Sequence, residues 1–300
     1  MTRWTPQDMP DQSGRTALVT GANSGLGFHT SLELARKGAR VLMACRNPTK
    51  AEAALAKIRG EVPGAAVELV SLDLASLDSV EQAAEEVAGR LRALDLLVNN
   101  AGVMAVAEGR TADGFEMQLG TNHLGHFALT GRLLPLLLAA DAPRVVTVSS
   151  GAHAIGRMHF EDLTAANGYH RWRRYGQSKL ANLLFTSELH RRASGRLLAV
   201  AAHPGYAATH LQEGQGQPLF EALMRVGNVV LAQSDKQGAW PSLYAATMPD
   251  VRGDDFFGPH LMGLRGHPIR TWRTSAARND QDARRLWDLS EELTKVHYDL

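Results

Sequence analysis

The glycine-rich turn Gly21-Ala-Asn-Ser-Gly25-Leu-Gly27 constrains the fold most strongly, because an apolar run precedes it and an amphipathic segment follows it. The run Arg15–Thr20 is typical of a buried strand, and the segment Phe28–Lys37 has helical periodicity. Glycines allow a tight turn and a close approach to a pyrophosphate, and the helix N-terminus offers free N–H groups. The pattern predicts the first unit of a dinucleotide-binding fold, although any glycine turn between strand and helix would resemble it.

Apolar runs and helical segments continue to alternate along the chain. The pattern predicts further strands over 39–45, 66–72, 94–98, 143–150, 197–202 and at 256–257, and helices over 48–60, 76–92, 111–140, 175–194, 240–248 and 279–295. This alternation favours a doubly wound parallel sheet with helices on both faces. We therefore expect a single-domain α/β Rossmann fold over 1–300, with about seven strands and an irregular N-terminal arm over 1–14.

Composition excludes several other classes of protein. The chain has 32 Lys and Arg against 31 Asp and Glu, so its net charge of +1 gives no global attraction to nucleic acid or anionic lipid. A single cysteine, Cys45, excludes an internal disulfide and a thiolate zinc cluster. We find no signal-peptide core and no apolar run of the roughly 18 residues that suggest a membrane span. These features predict a cytoplasmic protein with no metal site, integral membrane segment or nucleic-acid partner.

Candidate binding residues follow several predicted strands. Because the carboxyl ends of parallel strands share one edge of a sheet, the glycine turn, Arg46, Asp73 and Asn99–Gly102 should lie together. Arg46 stands near the position where an acid would bind the ribose of NAD, and an arginine can instead accept the 2′-phosphate of NADP. The sequence therefore predicts NADP(H), with NAD(H) as the alternative. Arg46 could also be an ordinary exposed loop residue.

Tyr175 and Lys179 are separated by one helical turn in the segment Tyr175-Gly-Gln-Ser-Lys179. On a helix this spacing places the phenol and the ammonium on one face. An unperturbed phenol titrates near ~10, and a neighbouring cation lowers that pKa. Such a pair can protonate an alkoxide or deprotonate an alcohol at physiological pH. The same spacing also occurs by chance on solvated helices.

Six motifs in this order resemble the short-chain dehydrogenase/reductase superfamily. They are TGANSGLG, NNAG, the asparagine of NHLGHF, a strand-end VSS, YxxSK and PGxxxT, and the similarity extends from about Arg15 to the C-terminus. The segments HFEDL (159–163), SKLANLLFTSEL (178–189) and DARRLWDLSEEL (282–293) resemble the branch of retinol dehydrogenases and WW-domain oxidoreductases. The resemblance implies hydride transfer between a nicotinamide and a carbonyl compound or alcohol.

The resemblance also implies roles for individual residues. Tyr175 would be the general acid/base, and Lys179 would lower its pKa and bind the nicotinamide ribose. Ser150 would hold the substrate oxygen, with Ser149 as the alternative, and Asn122 would hold a water that links Lys179 to solvent. The implied cofactor contacts are Gly21, Asn23, Ser24, Gly25, Leu26, Gly27, Arg46, Asp73 (adenine), Leu74, Asn99 (adenosine side), Ala101, Gly102, Tyr175, Lys179, Pro204, Gly205 and Thr209 (nicotinamide carboxamide). Ser24 replaces a basic residue of many NADP-preferring members, so phosphate selection would depend on Arg46.

The segment 211–232 follows these residues and combines glycines with the apolar run Leu219–Met224. This composition predicts a substrate lid that favours a small hydrophobic carbonyl or alcohol, with a packed surface helix as the alternative.

Similar proteins associate through the helices that bear Asn122 and Tyr175, which suggests a homodimer or homotetramer. Two other functions remain open, namely a non-catalytic NADP(H) sensor on the same fold and light-driven reduction of a tetrapyrrole double bond. His123 and His126 are expected to be structural histidines.

Overall fold

The computed structural model describes residues 3–205 and 234–300. Within these ranges eight strands form one sheet in the order β3-β2-β1-β4-β5-β6-β7-β8. The strands are β1 (Thr16–Thr20), β2 (Arg40–Cys45), β3 (Val67–Ser71), β4 (Leu96–Asn99), β5 (Arg144–Val148), β6 (Leu198–Ala202), β7 (Phe256–Leu261) and β8 (Arg265–Arg270). Strands β1 to β7 pair in parallel, and β8 pairs antiparallel with β7.

Helices cover both faces of the sheet. They are α1 (Gly25–Arg36), α2 (Pro48–Glu61), α3 (Leu77–Arg90), α4 (Met117–Leu119), α5 (Gly125–Leu138), α6 (Arg171–Ala193), α7 (Asp235–Gly238), α8 (Trp240–Thr247) and α9 (Asp280–Thr294), with a π turn (Gly120–Leu124) between α4 and α5. Alternate residues of each strand face opposite cores, so Val19 packs with α1, α2 and α8, whereas Leu18 packs with α3, α5 and α6. The predicted doubly wound α/β fold is confirmed.

The sheet has one strand more than the sequence indicated. Strand β8 reads Arg265-Gly-His-Pro-Ile-Arg270, which contains no apolar run, and most of its residues are exposed or half-buried. A proline is tolerated at the edge of a sheet, where its missing N–H need not join a ladder. Pairing with β7, rather than local composition, therefore determines this strand.

The N-terminal segment packs against α8. Its backbone is irregular except for a single 3₁₀ turn at Pro6–Asp8. Trp4 is buried, its indole N–H lies 3.2 Å from Met248 Sδ, and its ring makes an edge contact with Tyr244. The start of the described chain thus adds apolar surface to the core.

Helix α9 crosses the outer faces of α5 and α6. Its Trp287 is fully buried and stacks on Phe185 with ring centroids 5.9 Å apart. Behind α5, the Tyr298 hydroxyl donates to the Phe127 carbonyl at 2.6 Å. The protein's own C-terminal segment therefore covers part of the surface on which the sequence predicted subunit contacts. In the described ranges, no helix is both long and apolar enough to span a membrane.

Candidate active site and cofactor cavity

A cavity of about 500 Å³ opens at the carboxyl edge of β1, β2 and β4. It is lined by Gly21, Asn23, Ser24, Gly25, Leu26, Gly27, Ala44, Arg46, Asn47, Lys50, Leu72, Asp73, Leu74, Asn100, Ala101, Gly102, Val103 and Thr121. Its volume lies within the range of small-molecule sites. With the exception of Asn99, every residue before position 103 that the sequence predicted to contact a cofactor lines this cavity.

The glycine turn forms a close-packed wall of the cavity. Gly21 has a φ of +66°, a conformation that side chains rarely adopt. A Cβ at Gly27 would lie 2.3 Å from the Gly21 carbonyl oxygen and 2.6 Å from Asn100 Nδ2, so α1 packs directly on the turn. Residues 24–27 line the cavity, which directs the positive end of α1 into it. A backbone cradle at a helix N-terminus fits a pyrophosphate.

Two cations line the cavity where β2 ends and α2 begins, and we call this part of the cavity its nucleotide end. Arg46 follows β2, its side chain is 70% exposed, and its guanidinium Nη1 lies 3.9 Å from Asp73 Oδ1. Lys50 lies in the first turn of α2, where its backbone N–H donates to the side chain of Asn47 at 2.9 Å. The sequence analysis missed Lys50 and Asn47. The signal was available, because a helix that begins directly after β2 must start at the same edge of the sheet.

Asn99, which the sequence predicted as a cofactor contact, does not line the cavity. Its side chain is buried in the core below α5, where Nδ2 donates to Thr130 Oγ1 at 2.9 Å. Asn100 lines the cavity instead and donates to the Thr20 carbonyl at 2.7 Å. Adjacent residues at a strand end point to opposite sides, so only one of the two asparagines can face the cavity.

Ser150, Tyr175 and Lys179 come together at the ends of β5 and α6, and we call them the candidate catalytic trio. The Ser150 side chain lies beside the Tyr175 hydroxyl and favours its charged form. Lys179 Nζ lies 5.8 Å from the centroid of the Tyr175 ring and donates to the Val148 carbonyl at 3.1 Å. Ser150 also caps the 3₁₀ turn Gly151–Ile155 by accepting the Ala152 N–H. Tyr175 and Lys179 are both buried.

Burial determines the pKa values within this trio. It raises the pKa of Tyr175 to about 12, and the hydrogen bond from Ser150 opposes that rise. It lowers the pKa of Lys179 to about 8. Both shifts follow from the cost of placing a charged group away from water. The lowered tyrosine pKa expected from the sequence is therefore not found, because desolvation dominates. Near pH 7 the phenol keeps its proton and the ammonium keeps its charge.

Ser149 has a different environment from Ser150. Its buried hydroxyl donates to the Lys179 carbonyl at 2.7 Å and so ties β5 to α6. The structure thus places Ser150, and not Ser149, beside Tyr175.

Asn122 connects the cavity with α6. Its carboxamide accepts from the Val103 N–H at 2.8 Å and donates to the Val103 carbonyl and to Ser178 Oγ, each at 2.9 Å. A Cβ on Gly102 would lie 2.8 Å from Asn122 Oδ1 and 3.5 Å from Lys179 Nζ. Gly102 also lines the cavity, so the cavity and the candidate catalytic trio are contiguous.

The remaining predicted contacts follow β6. The Gly205 N–H donates to His203 Nδ1 at 3.2 Å, and Pro204 lies between these two residues. Thr209 and the predicted lid, 211–232, lie outside the described residues. Among residues 3–205 and 234–300, no group of three or more His, Cys, Asp or Glu side chains is arranged to hold a metal ion.

A doubly wound sheet with a glycine-lined cavity at its carboxyl edge defines a dinucleotide-binding class of protein. The sequence profile of the short chain dehydrogenase family matches residues 15–219. The chain belongs to this family and is an oxidoreductase that transfers hydride between a nicotinamide cofactor and an alcohol or carbonyl compound.

Comparison with individual proteins confirms the predicted branch. Retinol dehydrogenase 12 of Mus musculus is 40% identical over 287 residues, which cover 95% of this chain and 88% of that protein. Retinol dehydrogenase 13 of Homo sapiens is 41% identical over 286 residues, covering 93% and 84%. An uncharacterised protein from Mycobacterium paratuberculosis has a similar structure, with 46% identity, a TM-score of 0.85 and full coverage of both chains. A candidate NAD(P)-dependent gluconate 5-dehydrogenase from Beutenbergia cavernae, solved with NADP at low occupancy, is 27% identical with a TM-score of 0.63, covering 79% and 91%.

Proposed function

We propose that the protein is an NADP(H)-dependent oxidoreductase that interconverts a hydrophobic aldehyde or ketone with its alcohol, with Tyr175 as the general acid/base. One observation carries this proposal. Tyr175 is buried, lies beside Ser150 and one helical turn from a buried lysine, and adjoins a glycine-lined cavity. A protonated phenol beside a hydroxyl can bind a carbonyl oxygen from two sides.

The chain's own groups account for the proton and its placement. When bound, the nicotinamide supplies or accepts the hydride. Ser150 holds the substrate oxygen, and Tyr175 donates its proton to that oxygen during reduction. The Lys179 ammonium then stabilises the negative charge that remains on Tyr175, and in a buried site this attraction is stronger than in water. Asn122 links the backbone at Val103 to Ser178, and Ser178 lies between Tyr175 and Lys179 on α6.

The nucleotide end of the cavity supports NADP(H) as the cofactor. Arg46 and Lys50 both line it, and two cations with directional N–H donors suit a 2′-phosphate. Arg46 Nη1 lies 3.9 Å from Asp73 Oδ1, and this contact can be exchanged at small cost because both side chains are exposed. The NADP-bound Beutenbergia cavernae relative is consistent with this preference.

Apolar surface beside the trio supports a hydrophobic substrate. The Trp172 ring makes an edge contact with the Tyr175 ring, with centroids 6.1 Å apart. An indole at this point offers a flat apolar wall next to the proton donor. Similarity to proteins named retinol dehydrogenases agrees with a substrate of this class.

The test is oxidation of NADPH, with NADH in parallel, against aliphatic aldehydes, retinal, aromatic ketones and quinones. We expect turnover of apolar carbonyl compounds with NADPH, and its loss in the Tyr175→Phe variant. Tight NADPH binding without turnover of any compound would contradict the proposal and favour the non-catalytic sensor.

A further inference from the structure

His126 lies in the core where the π turn meets α5, and it is only 1% exposed. Both of its ring nitrogens have partners. Nε2 lies 2.9 Å from Thr20 Oγ1, at the end of β1, and Nδ1 lies 3.0 Å from the Asn122 carbonyl oxygen. Thr20 is 106 positions from His126 in the chain, whereas Asn122 is one helical turn away. The imidazole therefore bridges the first strand and the π turn.

The partners of Thr20 assign the protons on this bridge. Thr20 Oγ1 accepts the N–H groups of Asn100 and Ala101, both at 2.9 Å, which uses its two lone pairs. Its own proton can then go to His126 Nε2 at 2.9 Å or to the more distant Val98 carbonyl at 3.4 Å. The shorter contact makes Nε2 an acceptor. In a neutral imidazole Nδ1 then carries the proton and donates it to the Asn122 carbonyl.

The surroundings of the ring keep it neutral. Burial lowers the pKa of His126 to about 4; the hydrogen bond to the Asn122 backbone opposes this shift, and the charge of Lys179 adds to it. The assigned tautomer, with one donor and one acceptor, matches the partner on each side. A protonated ring would place a second N–H against a Thr20 hydroxyl that has no lone pair left to accept it.

The bridge reaches both parts of the site. Asn100 and Ala101, at its cavity end, line the candidate cofactor cavity. At its other end, the Asn122 carboxamide donates to Ser178 Oγ, and that hydroxyl donates to the Tyr175 carbonyl at 2.8 Å. Hydrogen bonds thus link the cavity wall, through Thr20 and His126, to the Asn122 backbone, and the Asn122 side chain in turn links, through Ser178, to the backbone of the proposed acid.

We propose that His126 is a positioning residue that couples the cofactor-facing loop Asn100–Ala101 to the placement of Tyr175. The proposal rests on the proposed function, because it concerns the geometry of that same site. Supporting hydrogen bonds of this kind hold a reacting group in its productive position, so their loss should change catalysis as well as folding.

His123 provides a matched control. It lies three positions earlier, is equally buried, and its Nε2 lies 2.9 Å from Ser290 Oγ on α9, on the side away from the cavity. Replacing His123 should disturb packing to a similar degree without breaking the bridge to Thr20.

The experiment measures NADPH affinity, kcat at saturating NADPH and thermal stability for His126→Phe, Thr20→Val, the double variant, Thr20→Ser and His123→Phe. We expect the first two variants to lower kcat by about tenfold and to weaken NADPH binding several-fold, the scale of one or two lost hydrogen bonds. The double variant should be no worse than the poorer single variant, because both break one bridge. Thr20→Ser should restore the wild-type values, and His123→Phe should lose stability but keep kcat and affinity within about twofold.

Wild-type kcat and NADPH affinity in a folded His126→Phe protein would overturn the inference, as would additive losses in the double variant. If His126→Phe does not fold, Thr20→Val provides the test, and an unchanged kcat and NADPH affinity in that variant would also overturn the inference. Failure of the proposed function is distinguishable, because the wild-type protein would then turn over no substrate. In that case NADPH affinity can still be measured. An unchanged affinity in His126→Phe and Thr20→Val would refute the coupling through His126, whereas a weaker affinity would support it.

Discussion

The cavity and the adjoining candidate catalytic trio hold their functional groups in opposite ways. At the nucleotide end, the Arg46 and Asp73 side chains are 70% and 37% exposed and meet at 3.9 Å. In the candidate catalytic trio, Tyr175 and Lys179 are 7% and 4% exposed, and Lys179 is hydrogen-bonded to the Val148 carbonyl of β5. Exposed charges are screened and can change partners, whereas buried groups keep their geometry and have shifted pKa values. The exposed charges would suit the proposed selection of a cofactor, and the buried trio would suit the proposed transfer of a proton.

This difference implies that substitutions in the two regions should change different kinetic constants. Changes at the nucleotide end should act mainly on cofactor affinity, and changes in the candidate catalytic trio should act mainly on kcat.

The largest effect is expected for Tyr175→Phe, which removes the proposed proton donor and leaves the ring. We expect kcat to fall by about 10²- to 10⁴-fold, the usual contribution of general acid–base catalysis. NADPH affinity, measured by direct titration, should stay within about threefold. A variant that retains most of its kcat would show that the proton comes from another group.

The next effect is expected for Arg46→Asp, which replaces the proposed donor for the 2′-phosphate with a repulsive charge. The KM for NADPH should rise by about 10- to 100-fold, and that for NADH should change little. Lys50→Ala should produce a smaller rise. Lys57→Ala is the control, because Lys57 lies on the same helix but over the Phe28 ring, away from the cavity. An equal rise in the KM for NADPH and the KM for NADH would show that Arg46 does not recognise the 2′-phosphate.

Gly27→Ala tests the packing of the glycine turn. Its Cβ would lie 2.3 Å from the Gly21 carbonyl oxygen, so the turn or α1 must shift. We expect a loss of about 1–3 kcal/mol in the free energy of unfolding and about tenfold weaker NADPH binding. Gly60→Ala in α2, where nothing lies within 4 Å of the new Cβ, should be neutral or slightly stabilising. A Gly27→Ala protein with unchanged NADPH affinity would refute the cradle.

The smallest effect is expected from pH. Because burial lowers the pKa of Lys179 to about 8, its ammonium is charged below that pH and neutral above it. The kcat/KM for carbonyl reduction should therefore decline above about pH 8, by at most tenfold per pH unit. Lys179→Arg retains its charge throughout and should lose this inflection, even if its activity is lower. A wild-type profile that stays flat across this range would mean that the charge of Lys179 is not required.

Much of the fold could be predicted because the relevant signals are local. The apolar runs of β1 to β6, the helical periodicity between them and the turn Gly21–Gly27 depend on residues adjacent in the chain. The spacing of Tyr175 and Lys179 also survives directly as one turn of α6. In contrast, β8 was missed because it exists only through its pairing with β7.

The sequence by itself determined the order of strands and helices, the glycine turn and the identity of the residues at the strand ends. Only the tertiary structure decided that Asn100 rather than Asn99 lines the cavity, and that Ser150 rather than Ser149 lies beside Tyr175. It also decided that burial raises the pKa of Tyr175, and that His126 joins Thr20 to Asn122. The physical reason is that side-chain direction, desolvation and hydrogen bonding depend on groups far apart in the chain, whose distances no local pattern contains.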